Sequence, residues 1–248
     1  MDSFDSINQK LDPERDQLLD ELFKDVPAQA EITLDFPSNG KFYRNFAKAI
    51  LRPVTFEDEK FMIASQSPDA VNILIERCLK GLNVKDLLIL DKMYVLLKLR
   101  EISYGAEYQA QVTCPHCSSK ADVKIDISKL NINHIPDTLE DPKTIMLPVL
   151  KKKISVKLPR VSDEIYLKSG ESVYSNIWRF VIAIDSITDP VTINKAVQRM
   201  NIRDVRTIIS QLSSKEAGVD PRFLLQCADC GAESEMAVPI TDDFFSQI

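Results

Sequence analysis

Four of the five cysteines form two Cys-x-x-Cys pairs, Cys114 with Cys117 and Cys227 with Cys230. The turn within such a pair lets two thiolates converge on one ion, and zinc prefers four soft ligands in a tetrahedron. The two pairs together therefore predict a single structural zinc ion per chain. A catalytic zinc would keep one position open for water, whereas four thiolates fill the tetrahedron.

The two pairs are separated by the 109 residues from 118 to 226, a much larger gap than in a simple zinc ribbon. Closing a loop of that size costs about 4 to 5 kcal/mol of chain entropy. Binding of a structural zinc contributes roughly 10 to 16 kcal/mol. Because the metal outweighs the closure cost, we expect a folded insertion between two zinc knuckles.

A redox function is an alternative, because residues 114–117 reproduce the CPHC sequence of some thioredoxin-fold thiol oxidases. In those folds the dithiol opens a helix, whose dipole lowers the pKa of the nucleophilic thiol. The sequence after Cys117, SSKADVKIDI, favours a strand instead, and a redox function leaves the second pair without a role. A thiol-disulfide oxidoreductase is therefore one alternative to a zinc protein, and cysteines that bind no metal and belong to the core are another.

Alternating apolar residues predict β strands on both sides of each pair. The alternation occupies residues 108–112 and 123–127 around the first pair, and residues 223–226 and 236–240 around the second. Each pair is therefore expected at the tip of a β hairpin, as in a zinc ribbon. Gly231, directly after the second pair, supplies the backbone freedom that such knuckles favour.

Helical periodicity dominates the remaining sequence. Cys78 lies within one apolar helical stripe and is expected to be a small buried core residue. We expect an α+β fold in which short-stranded β hairpins form a zinc-ribbon-like unit with an inserted helical bundle. Helices are predicted over residues 56–66, after Ser67-Pro68, and over residues 86–102, 162–169, 171–186, 190–200 and 202–217.

Four regions follow from these patterns. An N-terminal hairpin is expected from strands at 32–36 and 47–54. The predicted regions are an acidic N-terminal amphipathic helix and linker at 1–31, a β hairpin with helices at 32–106, a zinc-ribbon-like β unit at 107–159 and 219–248, and a helical insertion at 160–218.

Residues 12–26 predict an amphipathic helix, which Pro27 ends. Leu18, Leu22 and Phe23 lie on its apolar stripe, with charged residues on the other faces. Exposed helical stripes of this kind dock into grooves on other proteins. These three residues are therefore the candidate partner-binding residues, and the alternative is that they pack on the chain's own core.

The formal net charge of −6 lies in residues 1–31, which carry nine acidic and three basic side chains. The remaining chain is neutral, and its basic cluster at Lys151, Lys152 and Lys153 is interpreted as a solvated strand edge. Such a balance repels phosphate backbones, so we do not expect nucleic acid as a partner. A zinc-ribbon nucleic-acid-binding protein is a further alternative.

Several function classes find no support in the sequence. There is no apolar run of the roughly 18 residues that a membrane helix needs, and the first ten residues lack the features of a signal peptide. No GxSxG, P-loop, GxGxxG or HExxH pattern occurs. We therefore expect a cytoplasmic, non-enzymatic protein that uses no membrane and no small-molecule substrate.

Four segments together resemble the baseplate hub protein family of T-even-like (T4-like) contractile-tailed bacteriophages. They are FPSNGKFY at 36–43, ILRPVTFEDEKFMIA at 50–64, LREISYGAEYQAQVTCPHC at 99–117 and KIDISKL at 124–130. The resemblance is good over about residues 30 to 130, looser through the insertion, and recovers at the second Cys-x-x-Cys pair.

The resemblance implies a structural or assembly protein of the central hub of a phage baseplate. Its partners would be other phage baseplate or hub proteins. It would act in the host cytoplasm during assembly, with the virion tail baseplate as a further location.

Overall fold

The computed structural model describes residues 17, 18, 21, 22, 24, 31–65, 69–167, 170–212, 217–240 and 242–245. Helices and antiparallel hairpins both occur, which confirms the predicted α+β class. The helices are α1 (Phe56–Ala64), α2 (Ala70–Cys78), α3 (Ile89–Tyr104), α4 (Gly170–Asn176), α5 (Pro190–Gln198) and α6 (Ile202–Leu212). None of these described helices is long and apolar enough to cross a membrane.

The strands of the described ranges pair antiparallel in small sheets, ordered β1-β2-β3, β4-β5, β6-β10, β7-β8-β9 and β11-β12. Their bounds are β1 (Ile32–Leu34), β2 (Ala49–Leu51), β3 (Leu79–Lys80), β4 (Glu107–Thr113), β5 (Lys120–Asp126), β6 (Ile132–Asn133), β7 (Lys143–Met146), β8 (Lys153–Val156), β9 (Val181–Ile184), β10 (Gly218–Val219), β11 (Arg222–Gln226) and β12 (Glu233–Ala237).

The larger hydrophobic core joins the β1-β2-β3 sheet, helix α3 and the base of the β4-β5 hairpin. Helix α3 is buried on several sides, in agreement with its nearly continuous apolar sequence. The helix begins at Ile89 rather than at 86, because a short 3-10 turn occupies Val84–Asp86. It ends at Gly105, whose φ of 93° is the left-handed conformation that favours glycine.

A fully buried carboxylate, Asp58, connects helix α1 to its neighbours. Asp58 and Thr55 form the reciprocal capping box that their spacing predicts. The side chains of Arg52 and Arg77 each donate a hydrogen bond of 2.6 Å to the Asp58 carboxylate. Burial alone raises the pKa of Asp58, but the hydrogen bonds from Arg52, Arg77 and Thr55 outweigh it and hold this pKa well below its ordinary value.

A second buried carboxylate, Asp91 of helix α3, fixes the turn that follows β1. It accepts a hydrogen bond of 2.9 Å from the backbone amide of Ser38 and another from the hydroxyl of Tyr43. The Tyr43 oxygen in turn accepts the backbone amide of Leu88 at 3.1 Å. Burial raises the pKa of Asp91 and that of Tyr43. The turn at 37–40 is thereby connected to helix α3.

A separate hydrophobic core lies between the β7-β8-β9 sheet and helices α5 and α6. Its largest fully buried side chains include Leu147, Ile154 and Phe180. Strands β6 and β10 pair with Gly218 opposite Asn133, and Gly218 lies against Leu90 of helix α3 in the larger core. The chain therefore returns from the second core next to the point where it left the first.

The helix predicted over residues 171–186 is wrong in its second half. Helix α4 is followed by a 3-10 turn at Ile177–Phe180 and then by strand β9. The run Val181–Ile184 is short, apolar and rich in β-branched residues, and periodicity alone does not distinguish a buried helix from a strand in such a run. The antiparallel pairing of this run with β8 makes it a strand rather than a helix.

The pairing of β8 with β9 also affects the division into regions that the sequence predicts. Strand β8 falls in the predicted zinc-ribbon-like unit and β9 in the predicted insertion, so their contact crosses the proposed boundary between residues 159 and 160. The division into regions stays a prediction. The two hairpins that carry the cysteines are β4-β5 and β11-β12.

Candidate metal centre

Each Cys-x-x-Cys pair lies in the loop at the end of a β hairpin. The β4-β5 pairing ends with Thr113 opposite Lys120, and the β11-β12 pairing ends with Gln226 opposite Glu233. The intervening loops, 114–119 and 227–232, therefore have equal length. The apolar side chains of Val112 and Leu225, one from each hairpin, are buried in a small cluster with Cys114 and Cys227. This cluster holds the two loops together.

The two loops have the same backbone hydrogen bonds. In the first loop, the amide of Cys114 donates to the carbonyl of Ser119 at 2.8 Å, and the amide of Ser118 donates to the carbonyl of Cys114 at 2.9 Å. In the second loop, Cys227 donates to Ala232 at 3.0 Å and Gly231 to Cys227 at 2.9 Å. The loops are therefore two copies of one turn.

Both turns need a residue with positive φ directly after the pair. Gly231 has a φ of 70°, which agrees with the role predicted for it. Ser118 adopts the same conformation with a φ of 62°, although its Cβ makes that conformation costly. The turn therefore overrides the preference of the serine.

The four sulfur atoms lie close together. The ligand atoms of Cys114, Cys117, Cys227 and Cys230 all lie within 4.8 Å of one another. The Cys114 and Cys230 sulfurs are 3.8 Å apart, and the Cys117 and Cys227 sulfurs are 3.7 Å apart. One cysteine of each pair is buried and the other is exposed. The prediction that the two distant pairs meet is confirmed.

These distances test whether the donor set fits a metal ion. Four sulfurs at about 2.3 Å from a central zinc form a tetrahedron with edges of about 3.8 Å. The cross-loop separations of 3.7 Å between Cys117 and Cys227 and of 3.8 Å between Cys114 and Cys230 match that edge. They are also far longer than the roughly 2 Å bond of a disulfide, and the cysteines are free thiols. The four residues can therefore hold one metal ion.

A comparison with protein families matches residues 29–246 of the chain to the family described as T4 bacteriophage base plate protein. The chain belongs to this family. All four segments of the resemblance noted in the sequence fall inside the matched range. No curated protein and no solved structure matches the chain. The chain is therefore a structural protein of a phage baseplate.

The surroundings of the CPHC sequence in the baseplate protein differ from those of a thioredoxin-type dithiol. The residues after Cys117 lead into strand β5, as their sequence predicts. A helix that begins at the dithiol, and whose dipole would stabilise the thiolate, does not follow within this described segment. The geometry therefore favours a shared metal site over a redox dithiol.

Ser119 is a residue of the site that the sequence interpretation missed. Its hydroxyl oxygen lies 3.0 Å from the sulfur of Cys117 and 3.5 Å from that of Cys227, so it contacts one sulfur from each loop. Hydrogen bonding to Ser119 lowers the pKa of Cys117, and hydrogen bonds from Ser119 and from the backbone amides of Cys230 and Asp229 together lower the pKa of Cys227 to about 6. Thiolates rather than thiols bind metals. The hydroxyl therefore favours the metal-binding form on both loops.

The histidines lie outside the sulfur cluster. His116 is exposed between the two cysteines of the first pair. His134 has its Nδ1 atom 3.0 Å from the side-chain oxygen of Asn39, beyond strand β6. Neither joins the group of ligand atoms within the described residues.

The candidate partner-binding residues lie in the N-terminal segment. Leu18 and Leu22 belong to helical backbone and are 65% and 70% exposed. These two side chains are therefore not buried on the core of the baseplate protein. Phe23 lies outside the described residues.

Proposed function

We propose that this baseplate protein is a non-enzymatic structural or assembly protein of the baseplate hub, stabilised by one zinc ion. The observation that carries the proposal is the convergence of four sulfurs, from positions more than a hundred residues apart, within 4.8 Å. Four thiolates suit zinc and leave no position for a reacting water. The hub assignment is supported by the segments that resemble hub proteins, such as FPSNGKFY at 36–43.

In this proposal the zinc joins two hairpins that bracket the second core. The partners are other baseplate or hub proteins, met in the host cytoplasm during assembly and retained in or released from the tail baseplate. Nucleic acid, membranes and small-molecule substrates are not among the proposed partners. The protein contributes a fixed scaffold, which presents the surfaces to which its neighbours bind.

Metal analysis combined with thiol titration tests the proposal directly. We expect one zinc per chain in protein purified without added metal. The four cysteines of the two pairs should react with a thiol reagent only after the zinc is chelated, while Cys78 is protected by its burial in the folded protein. Metal-free protein with a rapidly reacting Cys114 would instead support the oxidoreductase. Retention of DNA at low salt and its loss at high salt would support the nucleic-acid-binding alternative.

Replacing Ser119 with alanine is expected to weaken zinc binding by about 10- to 100-fold, the usual cost of losing a group that supports metal ligands. The reason is the loss of one hydroxyl that contacts sulfurs of both loops. Competition with a chromophoric chelator measures the affinity. Ser118→Ala is the matched control, since Ser118 is the neighbouring residue and the change keeps a Cβ at its positive φ. Equal affinities for the two variants would contradict the role of Ser119.

Deleting residues 1–28 is expected to abolish recovery of the hub complex while the melting temperature changes by less than about 3 °C. Leu18 and Leu22 are exposed, so their removal takes little buried apolar area from the fold. Co-purification with neighbouring hub proteins and thermal unfolding are the two measurements. The pair Leu18→Asp and Leu22→Asp should reproduce the deletion, whereas Gln17→Ala and Glu21→Ala, at polar exposed positions of the same segment, should not. A large loss of stability on deletion would show that the segment packs on its own core.

A further inference from the structure

Two regions of the chain carry net charges of opposite sign, and the remaining residues, 32–142 and 213–248, together carry −6. We call residues 143–212, which contain the second core, the basic lobe. This stretch has twelve Lys and Arg residues against six Asp and Glu residues, a net charge of +6. We call residues 1–31 the acidic arm, and its nine acidic and three basic residues give −6. The two regions are therefore complementary in charge.

A rigid apolar loop projects from the basic lobe. The loop is Pro148–Lys151, between β7 and β8, and we call it the tip. The amide of Lys151 donates to the carbonyl of Leu147 at 3.2 Å, and the amide of Leu147 donates to the carbonyl of Lys152 at 3.0 Å. Leu147 itself is fully buried in the second core. The tip is thus anchored at its base.

A buried carboxylate of the neighbouring helix fixes the tip further. Asp204 of α6 is only 1% exposed, and its two oxygens accept the backbone amides of Val149 and Leu150 at 2.8 and 3.0 Å. The side chains of Val149 and Leu150 nevertheless remain 43% exposed each. A buried acid therefore holds the backbone of a loop whose apolar side chains face solvent.

Exposed lysines that directly follow the apolar residues of the tip extend this surface. Lys151, the last residue of the tip, and Lys153 are exposed and form no ion pair with any residue in the described ranges. An apolar centre with a cationic rim is the pattern of a binding surface for an amphipathic segment of negative charge.

The acidic arm has the properties that this surface requires. Its predicted helix at 12–26 would be about 22 Å long, with leucines on one face and mainly acidic residues on the others. Leu18 and Leu22 are exposed and do not bury themselves on the described part of their own chain. We propose that the tip of one copy of this protein binds the acidic arm of a second copy. Each copy has one arm and one tip, so mutual exchange closes a symmetric dimer with two equal contacts.

This inference rests on the proposed partner-binding role of the arm and is independent of the zinc site. The test is the mass of the full-length protein in solution, measured by sedimentation velocity across a range of concentrations. We expect a dimer that dissociates to monomers as salt is raised, because exposed charges are screened. The arm variant, Leu18→Asp with Leu22→Asp, and the tip variant, Leu150→Glu with Lys151→Glu, should each be monomeric. Lys85→Glu, at an exposed lysine outside the basic lobe, should remain dimeric.

Mixing the two monomeric variants provides the sharper measurement. The arm variant retains an intact tip and the tip variant retains an intact arm, so the mixture should form a heterodimer through one contact. Unchanged melting temperature and zinc content show that each variant folds. If the tip variant does not fold, the oligomeric state of the arm variant alone tests the proposal. A parent that is monomeric at all concentrations, or a dimer unaffected by the arm variant, would overturn the proposal. An arm variant that loses the hub complex but stays dimeric would overturn this inference and leave the proposed function standing.

Discussion

Replacing Cys114 with serine is expected to lower the melting temperature by about 10 °C or more and to remove stoichiometric zinc. The change leaves three thiolates in a site built for four, and a serine hydroxyl is a poor zinc ligand. Binding of structural zinc contributes roughly 10 to 16 kcal/mol, so losing even about 3 kcal/mol of it gives a shift of this size in a chain of this length. Thermal unfolding and metal analysis of the same preparation measure both effects.

Cys78 provides the matched control for this prediction. It is fully buried in the larger core, like Cys114 it is a free thiol, and it lies outside the sulfur cluster. Cys78→Ala should cost about 1 kcal/mol through lost packing and should keep one zinc per chain. If Cys114→Ser and Cys78→Ala unfold at the same temperature with the same metal content, the four-sulfur site does not stabilise the protein.

Replacing Asp58 with alanine is expected to destabilise the fold by about 3 to 5 kcal/mol, the usual result of removing one partner from a buried ion pair. Asp58 is fully buried and accepts hydrogen bonds from Arg52 and Arg77, which the substitution leaves without their acceptor. The capping of helix α1 is lost as well. Urea unfolding at neutral pH gives the free energy. Glu57→Ala is the control, because Glu57 is 86% exposed and 3.7 Å from Arg77, and it should change stability by less than about 0.5 kcal/mol.

The lowered pKa of Asp58 gives this prediction a pH dependence. In the unfolded chain the carboxyl titrates near its ordinary pKa of about 4, whereas the folded protein keeps it ionised to lower pH. Its stabilising contribution is therefore complete above about pH 5 and is lost as the pH falls through the lowered pKa of the folded state. The difference in unfolding free energy between the parent and Asp58→Asn should shrink between pH 5 and pH 3. A difference that is constant over this range would argue against an ionised Asp58.

The sequence was most informative where one local pattern decides the structure. Alternation of apolar residues predicts the hairpins around both cysteine pairs, and Gly231 marks the positive φ of the second knuckle. Cysteine spacing then predicts that the pairs converge, because two half-sites of a tetrahedral ion need each other. The helix ends at Thr55 and Gly105 follow from capping rules that involve only neighbouring residues.

Features that depend on distant partners could not be predicted. Strand β9 forms because β8 is available to pair with it, and its own four apolar residues are compatible with a helix. Ser119 becomes a neighbour of Cys227 only after the two loops meet. The buried positions of Asp58 and Asp91 likewise depend on donors elsewhere in the chain, such as Arg77 and Tyr43. A charged residue in a sequence gives no signal of such burial.

The distance along the chain between the two knuckles also affects how a newly made molecule matures. At a synthesis rate of about 5 to 20 residues per second, roughly 6 to 20 s pass between translation of the first pair and of the second. Throughout that interval the ribosome-bound chain offers only the two sulfurs of the first pair to a shared metal ion, and two sulfurs bind a metal weakly. A metal centre that joins the two pairs can therefore form only after the intervening residues have been translated, and a chain that terminates before Cys227 cannot form it.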